Sequence, residues 1–325
     1  MKLKDIYDFF IREGITADLR TKEQVRKSLN EKAKTFKRLP VSQRKFFDKE
    51  SLKNPFADTR LLWGRANTEV RRILVGIDID VPEILLADRL SKTGQKIDLV
   101  LAHHPEGIAL AGLHEVMALQ TDVLCNLGIE QRIVAEFMNK RIEKVSRSVH
   151  SANHLRSVDA ARLLGIPFLC CHTPADNHVA SYLQRKMDRQ KPKTLQDVLR
   201  LLWREPEYRS ASYEKAGPVI VSGKPKDKAG RIFVDMTGGT EGTKDIYGRM
   251  SQLGIQTLLS MHLSEEHFNK VKSELMNVVV AGHMASDNLG MNLLIDKLEK
   301  KFFKKSSQSG KLEIVECSGF RRVKR

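Results

Sequence analysis

Short apolar runs that alternate with longer helical patterns constrain this chain more than any other feature of its sequence. Seven runs of four to eight residues are rich in Val, Ile and Leu, and helical periodicity fills most of the intervals between them. This alternation predicts an α/β protein with mainly parallel or mixed sheets and covering helices. The predicted strands span residues 73–80, 97–102, 167–171, 219–222, 232–236, 257–261 and 278–281.

The first 60 residues have helical patterns and no predicted strand. Apolar residues at helical spacing predict two amphipathic helices there, with a break at Leu39 and Pro40. We therefore expect an N-terminal helical extension ahead of the α/β body. Further helices are predicted over residues 115–142, 175–185, 194–203, 244–253 and 288–301, and residues 304–310 have the composition of a linker.

Three of the predicted strands end at short phrases that contain potential metal ligands. Open α/β sheets place ligands outside the carboxyl ends of their strands, so side chains that are distant in sequence can meet at one edge. The sequence therefore predicts a metal centre at that edge. The three phrases contain His103 and His104, His172 and Asp176, and His283 and Asp287.

The spacing within these phrases fits two cations better than one. Neighbouring side chains on a strand point to opposite faces, so His103 and His104 can each serve a different ion where the chain turns. Asp176 has two carboxylate oxygens and can bridge a pair of ions, as in hydrolytic sites that activate water. Imidazole and carboxylate ligands together suit Zn, Fe, Ni or Mn. We expect two divalent metal ions of one of these kinds.

Each candidate ligand also has an ordinary structural interpretation. A lone His at the end of a strand can simply hydrogen-bond to neighbouring backbone. Asp287 is a good N-cap for the helix that is predicted to begin at residue 288. Cys170 has the same strand parity as His172, but a small buried core residue is its simpler role.

The order of these motifs resembles that of the NGG-one-interacting-factor-three-like proteins, often labelled GTP cyclohydrolase type two homologs. The resemblance covers roughly residues 62–300. It implies a two-domain α/β protein with a dinuclear metal centre in its cleft, assembled as a ring-shaped homohexamer. It also implies that His172 lies beside the metal ligands rather than among them. The ligands that it implies are His103, His104, Asp176, His283 and Asp287, the last of which stands where the family generally has Glu.

A glycine-rich segment follows the predicted strand over residues 232–236. Glycine permits close approach, and successive backbone N–H groups in such a turn can bind an anion. The segment is not a Walker loop, because it lacks the Gly-Lys-Ser/Thr ending. A tight strand-to-helix turn is the alternative interpretation, and the resemblance favours an anion or substrate loop near the cleft. Its residues are Thr237, Gly238, Gly239 and Thr240.

Most of the excess positive charge lies at the two ends of the chain. The formal net charge is +16 at pH 7, with a net +7 in residues 1–60 and a net +6 in residues 301–325. Basic ends of this kind can bind nucleic acid or an acidic partner. A solvated helix surface followed by a short tail is the alternative interpretation.

The sequence also bears on where the protein is found. No apolar stretch is long enough to span a membrane, and the first residues lack the apolar block of a secretory signal. Only four cysteines occur, and Cys170 and Cys171 are adjacent, which disfavours a disulfide between them. We therefore expect a cytoplasmic, reduced protein without membrane partners.

Together these features predict a dinuclear-metal-binding protein that acts as a metal-dependent hydrolase of a nucleotide-like or phosphate-containing small molecule. No side chain is assigned a catalytic role. The alternative is a non-enzymatic metal-binding or regulatory module whose basic extension binds a partner. The expected domains are the basic helical extension (1–60), a metal-binding α/β domain (61–190 with 276–325), and a second α/β domain with the glycine-rich loop (191–275).

Overall fold

The computed structural model describes residues 1–302 and 312–325, so the predicted linker over residues 304–310 lies outside the described residues. The strands are β1 (Thr59–Trp63), β2 (Arg72–Gly76), β3 (Leu99–Ala102), β4 (Phe168–Cys171), β5 (Val219–Ser222), β6 (Arg231–Asp235), β7 (Ile255–Ser260), β8 (Asn277–Val280) and β9 (Glu313–Glu316). The α-helices are α1 (Leu3–Ala17), α2 (Lys22–Arg38), α3 (Val81–Lys92), α4 (Gly107–Ala111), α5 (Leu113–Val116), α6 (Ala118–Asn126), α7 (Gln131–His150), α8 (Arg156–Leu164), α9 (Thr173–Gln190), α10 (Leu195–Leu202), α11 (Pro206–Tyr213), α12 (Tyr247–Gln252), α13 (Glu265–Ser273) and α14 (His283–Phe302).

The strands form two mixed sheets. The first has the order β1-β4-β3-β2-β9 and the second the order β5-β8-β7-β6. Only β1 in the first sheet and β5 in the second run antiparallel to their neighbours. Helices cover both sheets. The predicted α/β class with mixed sheets and covering helices is confirmed.

Among the predicted strands, those in the middle of the first sheet are buried most completely, whereas the edge strand β5 has no buried residue. Every residue of β3 and β4 is buried, which is why these strands appear as unbroken apolar runs. The two strands that were not predicted, β1 and β9, lie at opposite edges of the first sheet. Edge strands are only half covered, and β9 contains the exposed Glu313 and Glu316, whereas Arg60 of β1 is buried and pairs with Asp48 at 2.7 Å.

Two of the predicted helices have different bounds in the structure. The pattern over residues 115–142 is interrupted at Gly128, whose φ of 107° is a conformation that ends a helix between α6 and α7. The helix predicted from residue 288 begins at His283, one turn earlier. The helical pattern also missed α3, α8, α11 and α13. Asp287 therefore lies inside α14, and its interpretation as the N-cap of that helix is wrong.

The first helix is part of the core rather than a separate appendage. Its apolar face, including Leu3, Ile6 and Phe10, is completely buried. The backbone carbonyl of Gly14 accepts a hydrogen bond from the side chain of Asn177 on α9, 3.2 Å away. Helix α2, by contrast, buries only Val25. The predicted extension is helical, but only its second helix lies on the surface.

The division of the chain into domains stays a prediction, and one strand qualifies it. Residues 276–325 are predicted to belong with the metal-binding domain, yet β8 pairs with β5 and β7 in the second sheet. Helix α14, which follows β8, packs against α9, which follows β4 of the first sheet. The chain after residue 276 therefore connects the two sheets.

The crossing of α9 and α14 brings their first turns very close together. A Cβ atom on Gly290 would lie 2.5 Å from the carbonyl oxygen of Ala175, a distance that no side chain tolerates. Glycine is required at this crossing because the two backbones nearly touch. Asp176 and Asp287, next to this crossing, are thereby held close to each other. Of the described helices, none is both long and apolar enough to cross a membrane.

Candidate metal centre

The carboxyl ends of strands from both sheets meet at one cluster of His and Asp side chains. His103 and His104 follow β3, and His172 follows β4 as the residue before α9. Asp176 lies in the first turn of α9, while His283 and Asp287 lie in the first turns of α14. Ligand atoms from three overlapping sets of these residues lie within 4.8 Å of one another. The sets are His103, His104 and His172; His104, His283 and Asp287; and His103, Asp176 and Asp287.

Three of the histidines are oriented in the same way. The Nδ1 atom of His103 lies 3.2 Å from the carbonyl oxygen of Cys171. The Nδ1 atom of His104 lies 2.6 Å from Asp78, and that of His172 lies 2.9 Å from Asp58. Each Nε2 atom faces a carboxylate of the cluster instead. An acceptor on Nδ1 fixes the tautomer in which Nε2 is free to bind a metal, which is the usual arrangement of metal-ligating histidines.

The carboxylates at the centre of the cluster lack hydrogen-bond partners. Both oxygens of Asp287, one oxygen of Asp176 and the Nε2 atom of His103 are buried without a partner among the described residues. Leaving a buried charge unsatisfied is costly, so native proteins pair such groups or use them to bind a metal. These atoms have the environment expected of metal ligands.

The distances between these atoms fit a cation at the centre. His103 Nε2 lies 3.4 Å from one oxygen of Asp287 and 3.5 Å from Asp176. His104 Nε2 and His283 Nε2 each lie 3.5 Å from the other oxygen of Asp287. Two ligands that each bind an ion at about 2.1 Å with tetrahedral geometry are about 3.4 Å apart. The spacing is too long for good hydrogen bonds and suits bound ions.

The pKa values in the cluster shift in opposite directions. Burial lowers the pKa of His103 to about 4 and raises that of Asp176 to about 7. Burial also acts to lower the pKa of His104, but the neighbouring carboxylates of Asp287 and Asp78 outweigh it and raise the value to about 10. Burial opposes ionisation of Asp287, yet the imidazoles around it hold its pKa far below the usual range. The cluster therefore contains one firmly ionised carboxylate surrounded by imidazoles.

The structure brings together all five predicted metal ligands, and His172 with them. Sequence reasoning missed the carboxylates behind the histidines, Asp58 and Asp78. Asp58 precedes β1, and because β1 is antiparallel to β4 its amino end lies at the ligand-bearing edge. Asp78 follows β2, which pairs in parallel with β3, so it reaches the same edge. These two carboxylates could have been predicted from the polar residues at the end of each strand that reaches this edge.

The glycine-rich loop forms the facing wall of a cleft beside the cluster. The lining of the cleft includes His172, Asp176 and His283. Thr237, Gly239 and Thr240 line the opposite side. Gly238 lies behind them, packed against Gln120. The structure thus places the predicted loop across the cleft from the predicted ligands.

A second group of His and carboxylate side chains lies on the loop side of this cleft. Glu241 accepts a hydrogen bond from the backbone N–H of Ser264 at 2.7 Å, and its oxygens lie 3.4 Å from Nδ1 of both His262 and His267. His267 also lies 2.8 Å from the hydroxyl of Ser264 and 3.2 Å from the carbonyl of Gly242. The ring centroid of His262 is 4.8 Å from that of His283. This group adjoins the first one and was not predicted.

Three solved structures are similar to this chain. One is the crystal structure of a NIF3 superfamily protein from Sphaerobacter thermophilus, with a TM-score of 0.69 and 26% identity over 81% of this chain and 92% of that chain. Reduced HcgD from Methanocaldococcus jannaschii has a TM-score of 0.47 and 14% identity over 79% and 87% of the two chains. TTHA1606 from Thermus thermophilus has a TM-score of 0.43 and 14% identity over 79% and 86%.

The sequence matches no protein-family model, and no curated protein matches it significantly. Family membership rests on the first of the three structures, because that likeness extends over most of both chains. The two mixed sheets and the His/Asp cluster at their meeting edges also agree with the fold that the motif order implied. This likeness supports membership of the chain in the NIF3 superfamily, the NGG-one-interacting-factor-three-like proteins.

Proposed function

We propose that this chain is a dinuclear-metal-dependent hydrolase of a nucleotide-like or phosphate-containing small molecule. The observation that supports it most is the convergence of buried ligand atoms without hydrogen-bond partners on His103, Asp176 and Asp287. Such atoms bordering an open cleft have no structural explanation, whereas bound cations would satisfy them. Two divalent ions would supply Lewis-acid polarisation of the substrate and a water activated for attack.

The ligands divide into two sets around Asp287. One of its oxygens faces His103, which also faces Asp176, and the other faces His104 and His283. We therefore propose Asp287 as the carboxylate shared by the two ions. Asp176, which the sequence indicated for that role, lies to one side between His103 and His172.

His172 completes the first set in this proposal. Its Nε2 atom lies 3.7 Å from Asp176, and Asp58 anchors its Nδ1 atom. This anchoring matches that of His104 by Asp78. Asp58 and Asp78 would orient the two imidazoles and make them better ligands, as outer carboxylates do in metal enzymes. The ions, Zn, Fe, Ni or Mn by donor chemistry, stay unassigned.

The open side of the cluster favours an enzyme over a closed binding site. A structural metal site surrounds its ion with protein ligands, whereas a catalytic site keeps a position open to water and substrate. His283, which lines the cleft, is 41% exposed, so water and a substrate can reach the proposed ions from that side.

Metal analysis combined with a substrate panel tests this proposal. Protein purified without chelator should contain two divalent ions per chain and hydrolyse at least one of a set of phosphomonoesters and nucleotides. Chelation should abolish turnover, and added metal should restore it. Asp176→Ala should lower the metal content by mass spectrometry, while Cys170→Ala, which removes a buried thiol of the adjacent core, should not.

Two outcomes would count against parts of the proposal. Equal metal content in wild type and Asp176→Ala would remove Asp176 from the ligands. Full metal content without turnover on any member of the panel would favour the non-enzymatic alternative. The homohexamer that the resemblance implies stays a prediction, and light scattering of the purified chain tests it.

The non-enzymatic alternative is supported by the surface of α2. That helix turns an almost wholly polar side to solvent, and its exposed charges are mainly positive. Such a surface attracts the phosphate backbone of nucleic acid through counterion release. The exposed basic residues are Lys22, Arg26, Lys27, Lys34, Lys37 and Arg38, against Glu23 and Glu31.

Substitution rather than deletion tests this alternative, because deletion of residues 1–60 would remove α1 from the core. Changing Lys34, Lys37 and Arg38 to Glu should weaken salt-sensitive binding of an RNA or DNA oligonucleotide and leave the metal content unchanged. Unchanged oligonucleotide affinity in this variant would exclude α2 as a nucleic-acid surface.

A further inference from the structure

Three carbonyl groups of the glycine-rich loop accept hydrogen bonds from side chains of the same pair of helices. The side-chain amide of Gln120 on α6 donates to the carbonyls of Gly238 and Thr240, at 2.9 and 2.7 Å. On α7, Nε of Arg141 donates to the carbonyl of Glu241 at 2.9 Å. These three contacts fix the orientation of the peptide groups in the loop.

A trans peptide group directs its N–H opposite to its C=O. All peptide bonds of the described residues are trans. The N–H groups that follow the three held carbonyls, those of Gly239, Glu241 and Gly242, therefore point away from α6 and α7. None of them donates to an acceptor among the described residues. Gly239 and Glu241 also line the cleft, so the loop presents two unsatisfied backbone donors on that wall.

We propose that these backbone N–H groups form a binding site for a phosphate-type oxyanion on the wall opposite the metal centre. Successive N–H groups that converge from a turn make anion-binding concavities, and hydrogen bonds to a charged acceptor are the strong ones. The inference deepens the proposed function, because it places a phosphate group of the substrate at the loop, across the cleft from the ions. Anion binding itself does not require that function.

The two glycines make this arrangement possible. Gly238 and Gly239 have φ values of 96° and 89°, which other residues rarely adopt. A Cβ atom on Gly238 would lie 2.5 Å from Gln120, and one on Gly239 would lie 2.7 Å from Val116. The loop can therefore lie flat against α6 with its carbonyls turned inward only if neither position has a side chain.

Two carboxylates lie near the proposed site, and their charges affect it differently. The backbone N–H of Ser264 and the imidazole of His262 face Glu241 and offset part of its charge. Asp235, at the end of β6, lines the same cleft. Its carboxylate makes no hydrogen bond or ion pair with the described residues. An ionised Asp235 would repel a bound anion. Removal of that charge should therefore strengthen anion binding without altering the loop.

Amide hydrogen exchange of the full chain with added inorganic phosphate tests the proposal. Phosphate at about ten times its dissociation constant should slow exchange in peptides that cover residues 237–243 about tenfold if binding protects them fully. The effect should occur in the protein as purified and also after removal of metal by chelation. If the purified protein has no hydrolase activity, the proposed function is refuted. The protection of the loop by phosphate does not depend on that outcome.

Two variants separate phosphate binding from a change in fold. Gln120→Ala releases the held carbonyls and should weaken phosphate binding about tenfold, the equivalent of one hydrogen bond to a charged group. Gln131→Ala, which removes an exposed amide at the start of α7, is the matched control and should bind as wild type does. Asp235→Asn should bind phosphate more tightly than wild type at pH 8.

The proposal is overturned if phosphate protects only peptides around residues 103–104 and 283–287, or none. It is also overturned if both Gln120→Ala and Asp235→Asn bind phosphate as wild type does. Acetate serves as the comparison ligand that tests for a carboxylate instead of a phosphate. Its two oxygens can accept hydrogen bonds from fewer N–H groups than the oxygens of phosphate can. Acetate binding as tight as that of inorganic phosphate would refute the assignment to phosphate.

Discussion

Two neighbouring groups of the same residue types, His with Asp or Glu, line one cleft and differ in how their polar atoms are satisfied. In the group around Asp287, both carboxylate oxygens are buried without a hydrogen-bond partner among the described residues. In the group around Glu241, one oxygen accepts from the backbone N–H of Ser264, and His262 and His267 lie close to the carboxylate. The group around Asp287 has ligand atoms that a bound cation would satisfy. The polar atoms of the group around Glu241 are satisfied without one.

This difference separates a candidate metal centre from a structural network better than residue type does. Buried polar groups in native proteins are nearly always paired, so an unpaired group needs a reason. Both groups follow the carboxyl ends of strands, and both contain two or more histidines. Only the group around Asp287 has its imidazoles anchored at Nδ1 with Nε2 turned toward unpaired carboxylates. Substitutions in the two groups should therefore have different effects.

The largest difference is expected in metal content. Asp287→Asn removes the charge between the two sets of ligands, so both ions should bind more weakly, by at least the roughly 100-fold that loss of an outer-shell partner can cost. Glu241→Gln should leave metal binding unchanged, because that carboxylate is engaged elsewhere. Metal titrations followed by mass spectrometry measure both.

Asp287→Glu is the matched control for that comparison. It keeps the charge and restores the residue that the family generally has, so it should retain substantial metal. Thermal unfolding of the metal-free variants shows whether they fold. Binding of two ions by Asp287→Asn as tightly as by wild type would falsify the assignment of Asp287 as a ligand.

A smaller effect is expected on stability in the Glu241 group. Burial acts to raise the pKa of Glu241, but hydrogen bonds from His262 and Ser264 lower it to about 2. A carboxylate with a lowered pKa stabilises the fold above its unfolded pKa and loses that contribution as the pH falls toward the folded value. Glu241→Gln should therefore cost about 2 kcal/mol at pH 7 and progressively less between about pH 4.5 and 2.

Urea denaturation of the metal-free protein at several pH values measures this cost. Glu266→Gln is a suitable control, because Glu266 lies on the surface of α13, where an exposed ion pair with Lys244 contributes little. A Glu241→Gln variant as stable as wild type at pH 7 would show that the network around Glu241 is not structural. The contrast with the Asp287 group would then lose its basis.

Much of the fold could be predicted because its central strands are buried on both sides. Such strands give continuous apolar runs, and those of β3, β4 and β8 are visible without any knowledge of the partners. The edge strands β1 and β9 were not predicted, because the buried, ion-paired Arg60 of β1 and the exposed Glu313 and Glu316 of β9 interrupt their apolar patterns. Nor could the burial of α1, since an amphipathic pattern shows that a helix has an apolar face but not what covers it.

The sequence also predicted part of the candidate site, namely the residues that lie at the ends of predicted strands. The rule that ligands gather at strand ends located the imidazoles and carboxylates of the cluster. It could not show which carboxylate lies between the two sets of imidazoles, because that depends on the close crossing of α9 and α14 at Gly290. It also missed Asp58, which reaches the edge from an antiparallel strand that was itself not predicted.

The smallest expected effect concerns Asp235, which has no partner but lies outside both groups. Burial raises its pKa to about 6, with a further contribution from Glu241, while His262 acts in the opposite direction. The folded state therefore holds a proton that the unfolded state has lost between about pH 4 and 6, so wild-type stability should fall as the pH rises through this window. Asparagine has no proton to lose. We expect Asp235→Asn to equal wild type near pH 4 and to exceed it by about 1 kcal/mol at pH 8, the reverse of the pH trend for Glu241→Gln. Urea denaturation of the metal-free proteins at pH 4, 6 and 8 measures the difference, and a constant difference at all three values would show that Asp235 is ionised equally in both states.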